Sequence, residues 1–203
     1  MKRVSIAYKL VLYTFIIIAL YTEIFAAGSI RLGAFVYFTI QSNMIAGFCL
    51  FLSVVFPENF KVKSTLKGIS LFAIIITGII YNFVLYKIYK DWGTIGYSFS
   101  RTVLHVVSPI GYIIDWLLFD EHGYMKWRYI LLWFAYPIVY CVASIFAVSM
   151  MNFSIYSFFS ISNGYLPLVK WLSIFLGIFI IIGLLIVSLD KTLKSISNNR
   201  RLF

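Results

Sequence analysis

The sequence predicts an all-α, polytopic integral membrane protein with six transmembrane helices and both termini in the cytoplasm. Of its 203 residues, 62% are hydrophobic and only 12% are charged, about half the charged fraction of an average soluble domain. The 17 basic and 7 acidic side chains are too few to cover the surface of a water-soluble globule of this size. Long apolar stretches recur along the chain, and basic residues are unequally divided between the segments that join them.

Each apolar stretch is long enough to cross the hydrocarbon core of a bilayer, which takes about 20 residues of helix. The predicted spans lie near residues 8–27, 35–56, 66–86, 100–119, 128–150 and 168–189, and they form one domain over residues 1–203. The first stretch also resembles a secretory signal peptide, with a basic start and small residues at Ala26 and Ala27. A retained helix is favoured, because the stretch is long enough to span and contains Glu23.

Membrane topology is the best explanation of the net charge of +10. Six spans put both termini on one side, which then holds twelve of the 17 lysines and arginines: Lys2, Arg3, Lys9, Lys61, Lys63, Lys67, Lys126, Arg128, Lys191, Lys194, Arg200 and Arg201. By the positive-inside rule this side is cytoplasmic. No nucleic-acid partner is expected, since the basic residues form no continuous patch. The bias toward Ile, Phe, Tyr, Lys and Asn is typical of an AT-rich genome and indicates a bacterial plasma membrane.

Polar residues inside the fourth span follow a single helical face. They recur at steps of three and four residues, which places them in one stripe: Arg101, His105, Ser108, Tyr112 and Asp115. This face is expected to point into the helix bundle, because polar groups in contact with lipid are costly. Pro109 lies in the same helix and has no N–H group, so the carbonyl of His105 loses its usual donor and is open to another partner.

The second span is also unusually polar, with Thr39, Gln41 and Asn43 near its start. The helical rise of about 1.5 Å per residue puts Thr39 and His105 each about one turn inside the same membrane boundary. Glu23 and Asn82, on spans that run the other way, reach the same layer. Asp115 lies about 15 Å from His105, near the cytoplasmic end, where Lys or Arg side chains are expected to pair with it.

A threonine hydroxyl becomes a nucleophile when a base takes its proton, and histidine is the side chain best suited to do so at neutral pH. Thr39 and His105 are therefore a candidate catalytic pair. The amides of Asn43, Gln41 and Asn82 are candidates for stabilising an oxyanion or positioning the substrate. Arg101 is placed to attract a carboxylate or phosphate. The polar groups Glu23, Ser108, Tyr112 and Asp115 are expected to support this arrangement.

Purely structural roles are the alternative for each of these residues. Threonine in a membrane helix most often bonds the carbonyl of its own preceding turn, and asparagine often joins neighbouring helices. A histidine in a span serves about as often in a structural hydrogen bond as in a functional site.

Two short stretches carry a family resemblance. Residues 37–43 (Tyr-Phe-Thr-Ile-Gln-Ser-Asn) and residues 101–109 (Arg-Thr-Val-Leu-His-Val-Val-Ser-Pro), with Tyr112, Asp115 and Trp116, resemble the androgen-induced protein family and its bacterial six-span relatives. The resemblance implies a multi-pass membrane hydrolase of fatty acid esters of hydroxy fatty acids. It implies Thr39 as the nucleophile and His105 as the general base. The Gln41-Ser42-Asn43 run and the Asp115-Trp116 pair are associated with the prokaryotic branch, whose activity need not match.

The leading hypothesis is an intramembrane lipid ester hydrolase that acts on a membrane lipid or fatty acyl ester. No metal or organic cofactor is implied, because His122 falls in a predicted loop and Cys49 and Cys141 are interpreted as packing residues. One alternative is a small-solute or ion transporter or channel, with a polar path through Glu23, Arg101, His105 and Asp115. Another is a non-catalytic membrane protein that binds a lipid or a partner helix.

Overall fold

A computed structural model describes residues 2–26, 28–56, 60–86, 98–151, 156 and 164–199. Within these residues, six helices are long and apolar enough to cross a membrane, which confirms the all-α class. The chain divides into two compact units, residues 1–122 and residues 123–203. We call them unit 1 and unit 2. The single six-helix domain stays a prediction.

Unit 1 contains the first four long helices. The helices of unit 1 and the short elements between them are α1 (Lys2–Ile24), the hairpin strands β1 (Phe25–Ala26) and β2 (Ser29–Ile30), a 3-10 helix (Leu32–Val36), α2 (Phe38–Val55), α3 (Phe60–Ile79), the π-helix π1 (Ile80–Leu85) that continues α3, and α4 (Phe99–Phe119). A second π-helix, π2 (Val103–Val107), lies inside α4. Gly28 has a φ of 77°, the left-handed conformation that allows the tight hairpin turn.

The ends of the helices differ from the predicted spans. α1 begins at Lys2 rather than near residue 8, and the last helix continues to Asn199 rather than ending near residue 189. Hydropathy locates the stretch that suits a membrane, whereas the backbone hydrogen-bond ladder of a helix can continue through polar residues beyond that stretch. α2 begins only at Phe38, because Tyr37 has an extended backbone after the 3-10 helix.

In unit 1, α2 packs against α1 and α3, and α4 packs against α3 and α1. The core between them is apolar and includes the fully buried residues Ile16, Ala19, Ala46, Leu71, Phe72 and Leu104. α3 and α4 approach each other closely at Gly78, where a Cβ atom would lie 2.9 Å from the Cβ of Pro109. Glycine at this position therefore lets α3 pack directly against the proline of α4.

At one end of unit 1, four charged side chains form a buried ion cluster, consisting of Lys9, Lys67, Asp115 and Asp120. Lys9 and Lys67 each approach a different carboxylate oxygen of Asp115 at 2.5 Å. Asp120 lies 3.5 Å from Lys9 and 3.0 Å from Lys67. The expected pairing of Asp115 with basic side chains is therefore found. The two positive and two negative charges balance, which is what burial in an apolar environment requires.

Unit 2 contains α5 (Tyr129–Met151) and α6 (Tyr165–Asn199). The two helices pack together, and Gly183 leaves room for the side chain of Ile130. The carboxylate of Asp190 accepts hydrogen bonds of 2.9 Å from the backbone N–H groups of Gly123 and Met125. These bonds attach the segment before α5 to α6.

We expect Asp115→Asn to lower the thermal unfolding temperature strongly. The substitution leaves Lys9 and Lys67 buried with only Asp120 to balance them, and breaking a buried ion pair costs about 3–5 kcal/mol. The melting of the purified protein in detergent measures the effect. Lys126→Met, which removes an exposed lysine of unit 2, is the control and should melt like the wild type. A wild-type melting temperature for Asp115→Asn would show that the ion cluster does not stabilise the fold.

Candidate functional site

Thr39 and His105 are in hydrogen-bond contact at the other end of α4 from the ion cluster. Thr39 is the second residue of α2, and His105 lies in the middle of π2. The Thr39 Oγ1 atom lies 3.1 Å from Nε2 of His105. Both side chains are half-buried, so neither is sealed inside the core. The two residues that helical rise places at one depth are therefore in contact, although Thr39 lies in the first turn of its helix rather than one turn inside it.

A backbone carbonyl determines which nitrogen of the imidazole carries the proton. Nδ1 of His105 lies 2.9 Å from the carbonyl oxygen of Arg101, and a carbonyl can only accept. In the neutral ring Nδ1 is therefore the donor, and Nε2 presents its lone pair to Thr39. The hydroxyl of Thr39 must then donate its hydrogen bond to His105. This is the arrangement in which a histidine can remove a proton from a hydroxyl.

The hydroxyl of Thr39 bonds a side chain of another helix, as that of Thr77 does with Ser42, whereas Thr14, Thr22 and Thr192 bond within their own helices. The hydroxyl groups of Thr14 and Thr192 each donate to the carbonyl four residues earlier, and that of Thr22 to the carbonyl three residues earlier. This is the usual structural role of threonine in a helix. Thr39 instead contacts a side chain 66 residues away along the sequence.

Pro109 cannot supply the one backbone N–H group that would serve either of two carbonyl groups of α4. In π2 the N–H group of Ser108 bonds the carbonyl of Val103, five residues earlier. In this register the donor to the Leu104 carbonyl would be residue 109, and in an α-helical register residue 109 would serve the His105 carbonyl. Proline has no N–H group and can serve neither.

The side-chain amides of Asn43 and Asn82 satisfy these two carbonyls. Nδ2 of Asn43 donates to the carbonyls of Thr39 at 2.9 Å and Leu104 at 3.1 Å. Nδ2 of Asn82 donates to the carbonyls of Gly78 at 2.7 Å and His105 at 3.0 Å. The expectation that the His105 carbonyl would find another partner is thus met by Asn82.

These bonds revise the roles predicted for the two asparagines. An amide NH₂ group has two hydrogens, and in both residues each has a backbone acceptor. Asn43 and Asn82 are therefore not arranged to donate to a substrate oxyanion. Asn43 instead joins α2 to π2, and Asn82 joins π1 to π2.

Tyr81 is a neighbour of His105 that the sequence did not single out as a site residue. Its ring stacks on the imidazole with the ring centres 3.6 Å apart and the planes inclined by 22°. The π-helix π1 carries both Tyr81 and Asn82, and π-helical segments occur frequently at functional sites. The sequence feature that could have identified Tyr81 is its position next to Asn82, at the depth of the predicted polar layer.

The other predicted residues fall into two groups. Near the pair, Gln41 donates to the carbonyl of Phe35 at 2.9 Å, and Glu23 accepts from Ser100 at 2.5 Å. Arg101 and Glu23 are the charged side chains that act electrostatically on both His105 and Tyr81. Further along α4, Ser108 is fully buried, Tyr112 bonds Ser70, and Asp115 belongs to the ion cluster.

From the sequence, Lys9 and Lys67 were assigned only to the cytoplasmic side of the membrane, and they were not identified as the basic partners expected for Asp115. Lys9 and Lys67 each lie just inside a predicted span, which is the signal that would have singled them out. Lys67 also lies over the ring of Tyr112 at 4.0 Å from its centre, a cation–π contact.

No protein-family model matches the chain, and no match is found among curated proteins or solved structures. The family resemblance therefore stays a prediction that rests on the residues of the two short stretches.

We expect Asn82→Leu to destabilise the protein less when residue 109 can donate a hydrogen bond. Asn82→Leu leaves the His105 carbonyl without its donor, which costs about 1–3 kcal/mol. In the Pro109→Ala background a backbone N–H group is present, so the penalty should fall by at least about 0.5 kcal/mol. Thermal unfolding of the four proteins in this double-mutant cycle measures the difference.

Ser53→Ala is the control for this cycle, because Ser53 bonds the carbonyl of Cys49 within α2. Its effect on stability should be the same in both backgrounds. An equal Asn82→Leu penalty with proline and with alanine at position 109 would contradict the assignment of Asn82 as the replacement donor.

Proposed function

We propose that this protein is an intramembrane lipid ester hydrolase in which Thr39 is the nucleophile and His105 is the general base. One observation carries the proposal. The Thr39 hydroxyl lies 3.1 Å from Nε2 of His105, whose other nitrogen donates to the Arg101 carbonyl. A nucleophile bonded to a base that a third group orients is the recurring geometry of hydroxyl-based acyl transfer.

The reaction proceeds in two halves. His105 takes the proton of Thr39 as Oγ1 attacks the ester carbonyl, and a tetrahedral intermediate with an oxyanion forms. The intermediate collapses when the bond to the alcohol oxygen breaks, and His105 gives the proton to that oxygen. Water then attacks the acyl-threonine with His105 as base. Collapse of the second intermediate releases the fatty acid, and the proton returns to Oγ1.

The location of Thr39 supports charge stabilisation in these steps. Thr39 lies in the first turn of α2, an 18-residue helix. The N-terminal end of a helix carries a partial positive charge that favours a nearby anion. An oxyanion that forms on a carbonyl attacked by Thr39 develops close to this end, where a low dielectric strengthens the interaction.

The presence of Arg101 beside His105 favours a substrate that carries an anionic group. The residue is half-buried, and its own carbonyl orients His105. A guanidinium group binds carboxylate and phosphate well. The proposed substrates are therefore fatty acyl esters that also carry an anionic group. Fatty acid esters of hydroxy fatty acids, which the resemblance implies, belong to this class.

The bacterial plasma membrane, with both termini in the cytoplasm, is the proposed location. Large apolar side chains are exposed on the outer faces of the helices, including Phe83, Leu118, Leu131 and Val139, as lipid contact requires. Lys9 and Lys67 are neutralised in the ion cluster, which leaves ten of the twelve basic residues assigned to the cytoplasmic side. The opposite side has five: Arg31, Lys87, Lys90, Arg101 and Lys170. The asymmetry therefore survives the pairing.

The topology is testable with reporter fusions in a bacterial host. Green fluorescent protein fused after residue 203 should fluoresce, because that end is proposed to be cytoplasmic. Alkaline phosphatase should be inactive at the same position and active when fused after residue 95, in the segment that joins the third and fourth predicted spans. Active phosphatase after residue 203 would reverse the proposed orientation.

We expect Thr39→Ala and His105→Ala each to reduce hydrolysis of long-chain p-nitrophenyl esters by at least about 100-fold, the usual contribution of general-base catalysis. Thr39→Ser retains a hydroxyl and should keep measurable activity. Thr14→Ala is the matched control, because Thr14 bonds only within its own helix in the described structure. A lipophilic fluorophosphonate probe should label the wild type and fail to label Thr39→Ala.

Thermal stability separates catalysis from a structural contact. Catalytic groups are often replaced without loss of stability, whereas removal of a structural hydrogen bond lowers it. If Thr39→Ala and His105→Ala kept full esterase activity and both melted at lower temperature, the pair would be structural and the hydrolase proposal would be wrong.

A further inference from the structure

The hydroxyl of Tyr81 is buried and, within the described part of the chain, unpaired. Tyr81 is 6% exposed, and its oxygen has no hydrogen-bond partner among the described residues. A buried hydroxyl without a partner costs about 1–3 kcal/mol, and native structures rarely contain one without a reason. Phenylalanine would fill the same space without this penalty. The presence of tyrosine rather than phenylalanine therefore points to a use of the hydroxyl.

Two contacts with His105 fix the position of the residue that carries this hydroxyl. The Tyr81 ring stacks on the imidazole at 3.6 Å between centres. The next residue, Asn82, donates to the His105 carbonyl at 3.0 Å, which holds the backbone of π1 against π2. Because the hydroxyl is attached rigidly to the stacked ring, it lies within one side-chain length of the proposed base.

The proposed reaction lacks one component that this hydroxyl can supply. A tetrahedral intermediate requires hydrogen-bond donors directed at its oxyanion. The amides of Asn43 and Asn82 are both engaged with backbone carbonyls. The Tyr81 hydroxyl is a donor beside His105 that burial keeps from water, and none of the described residues bonds it.

We propose that Tyr81 is a further catalytic residue, whose hydroxyl donates a hydrogen bond to the carbonyl oxygen of the bound ester. The inference rests on the proposed hydrolase function. The bond strengthens as the carbonyl oxygen becomes negatively charged, and the phenolic proton stays on Tyr81. The hydroxyl thus acts with the N-terminal end of α2 on the same oxygen. The ring of Tyr81 holds the imidazole plane, so one residue orients the base and stabilises the charge.

Tyr81→Phe tests this role because it removes the hydroxyl and keeps the stacked ring. We expect kcat for long-chain p-nitrophenyl esters to fall about 100- to 1,000-fold, the cost of removing one oxyanion donor. KM should change little, since the bond is strongest in the transition state. Thr39-dependent labelling by the fluorophosphonate probe should slow to a similar extent. The melting temperature should stay the same or rise, because an unpaired buried hydroxyl is lost.

Tyr8→Phe is the matched control. It also removes a tyrosine hydroxyl of unit 1, but one that donates to the Gly111 carbonyl at 2.9 Å. We expect this substitution to lower the melting temperature and to leave kcat unchanged. The two variants should therefore show opposite patterns, in which Tyr81→Phe loses activity without stability and Tyr8→Phe loses stability without activity.

The outcomes distinguish this inference from the function on which it rests. If Thr39→Ala is inactive and Tyr81→Phe keeps the wild-type kcat and labelling rate, Tyr81 is not an oxyanion donor, and the hydrolase proposal stands. If Tyr81→Phe loses activity only in proportion to a fall in melting temperature, its role is structural. If Thr39→Ala keeps wild-type hydrolysis, both proposals are overturned.

Discussion

The arrangement around His105 depends on the missing N–H group of Pro109. Residue 109 would serve the carbonyl of Leu104 or that of His105 and proline serves neither, and an unpaired carbonyl in apolar surroundings is costly. Asn43 and Asn82 supply the replacement bonds from α2 and π1. Three segments are thereby joined at one turn of α4. The side chains that these segments carry next to the asparagines, Thr39 on α2 and Tyr81 on π1, are held against the imidazole as a consequence.

The two ends of α4 contain different kinds of polar groups. At one end, two buried lysines pair with the buried Asp115 and the half-buried Asp120, and the four charges cancel. At the other end, Thr39 and His105 form a half-buried hydrogen-bonded pair, and charge develops there during the proposed reaction. The balanced charges of the ion cluster suit a structural contact between helices. The half-buried pair suits chemistry on the proposed lipid substrate.

The polar groups around His105 divide between positioning and reaction. Both amides use their hydrogens on backbone carbonyls and so have none left for a substrate, whereas the Tyr81 hydroxyl uses none in the described structure. A transport path along α4 would need Asp115 to take part, but both of its carboxylate oxygens are bonded to lysines. The contacts of these residues are therefore easier to reconcile with hydrolysis.

The sequence by itself determined the helices, the inward stripe of α4, the common depth of Thr39 and His105 and the carbonyl of His105 that lacks its usual donor. These follow from helical rise, residue period and the chemistry of proline, which are local properties. Tertiary structure alone decided that the asparagine amides face backbone carbonyls, that Tyr81 stacks on the imidazole and that Lys9 and Lys67 share Asp115. Each depends on how neighbouring helices are rotated about their axes and which rotamers they allow, and the pattern of a single helix does not contain that information.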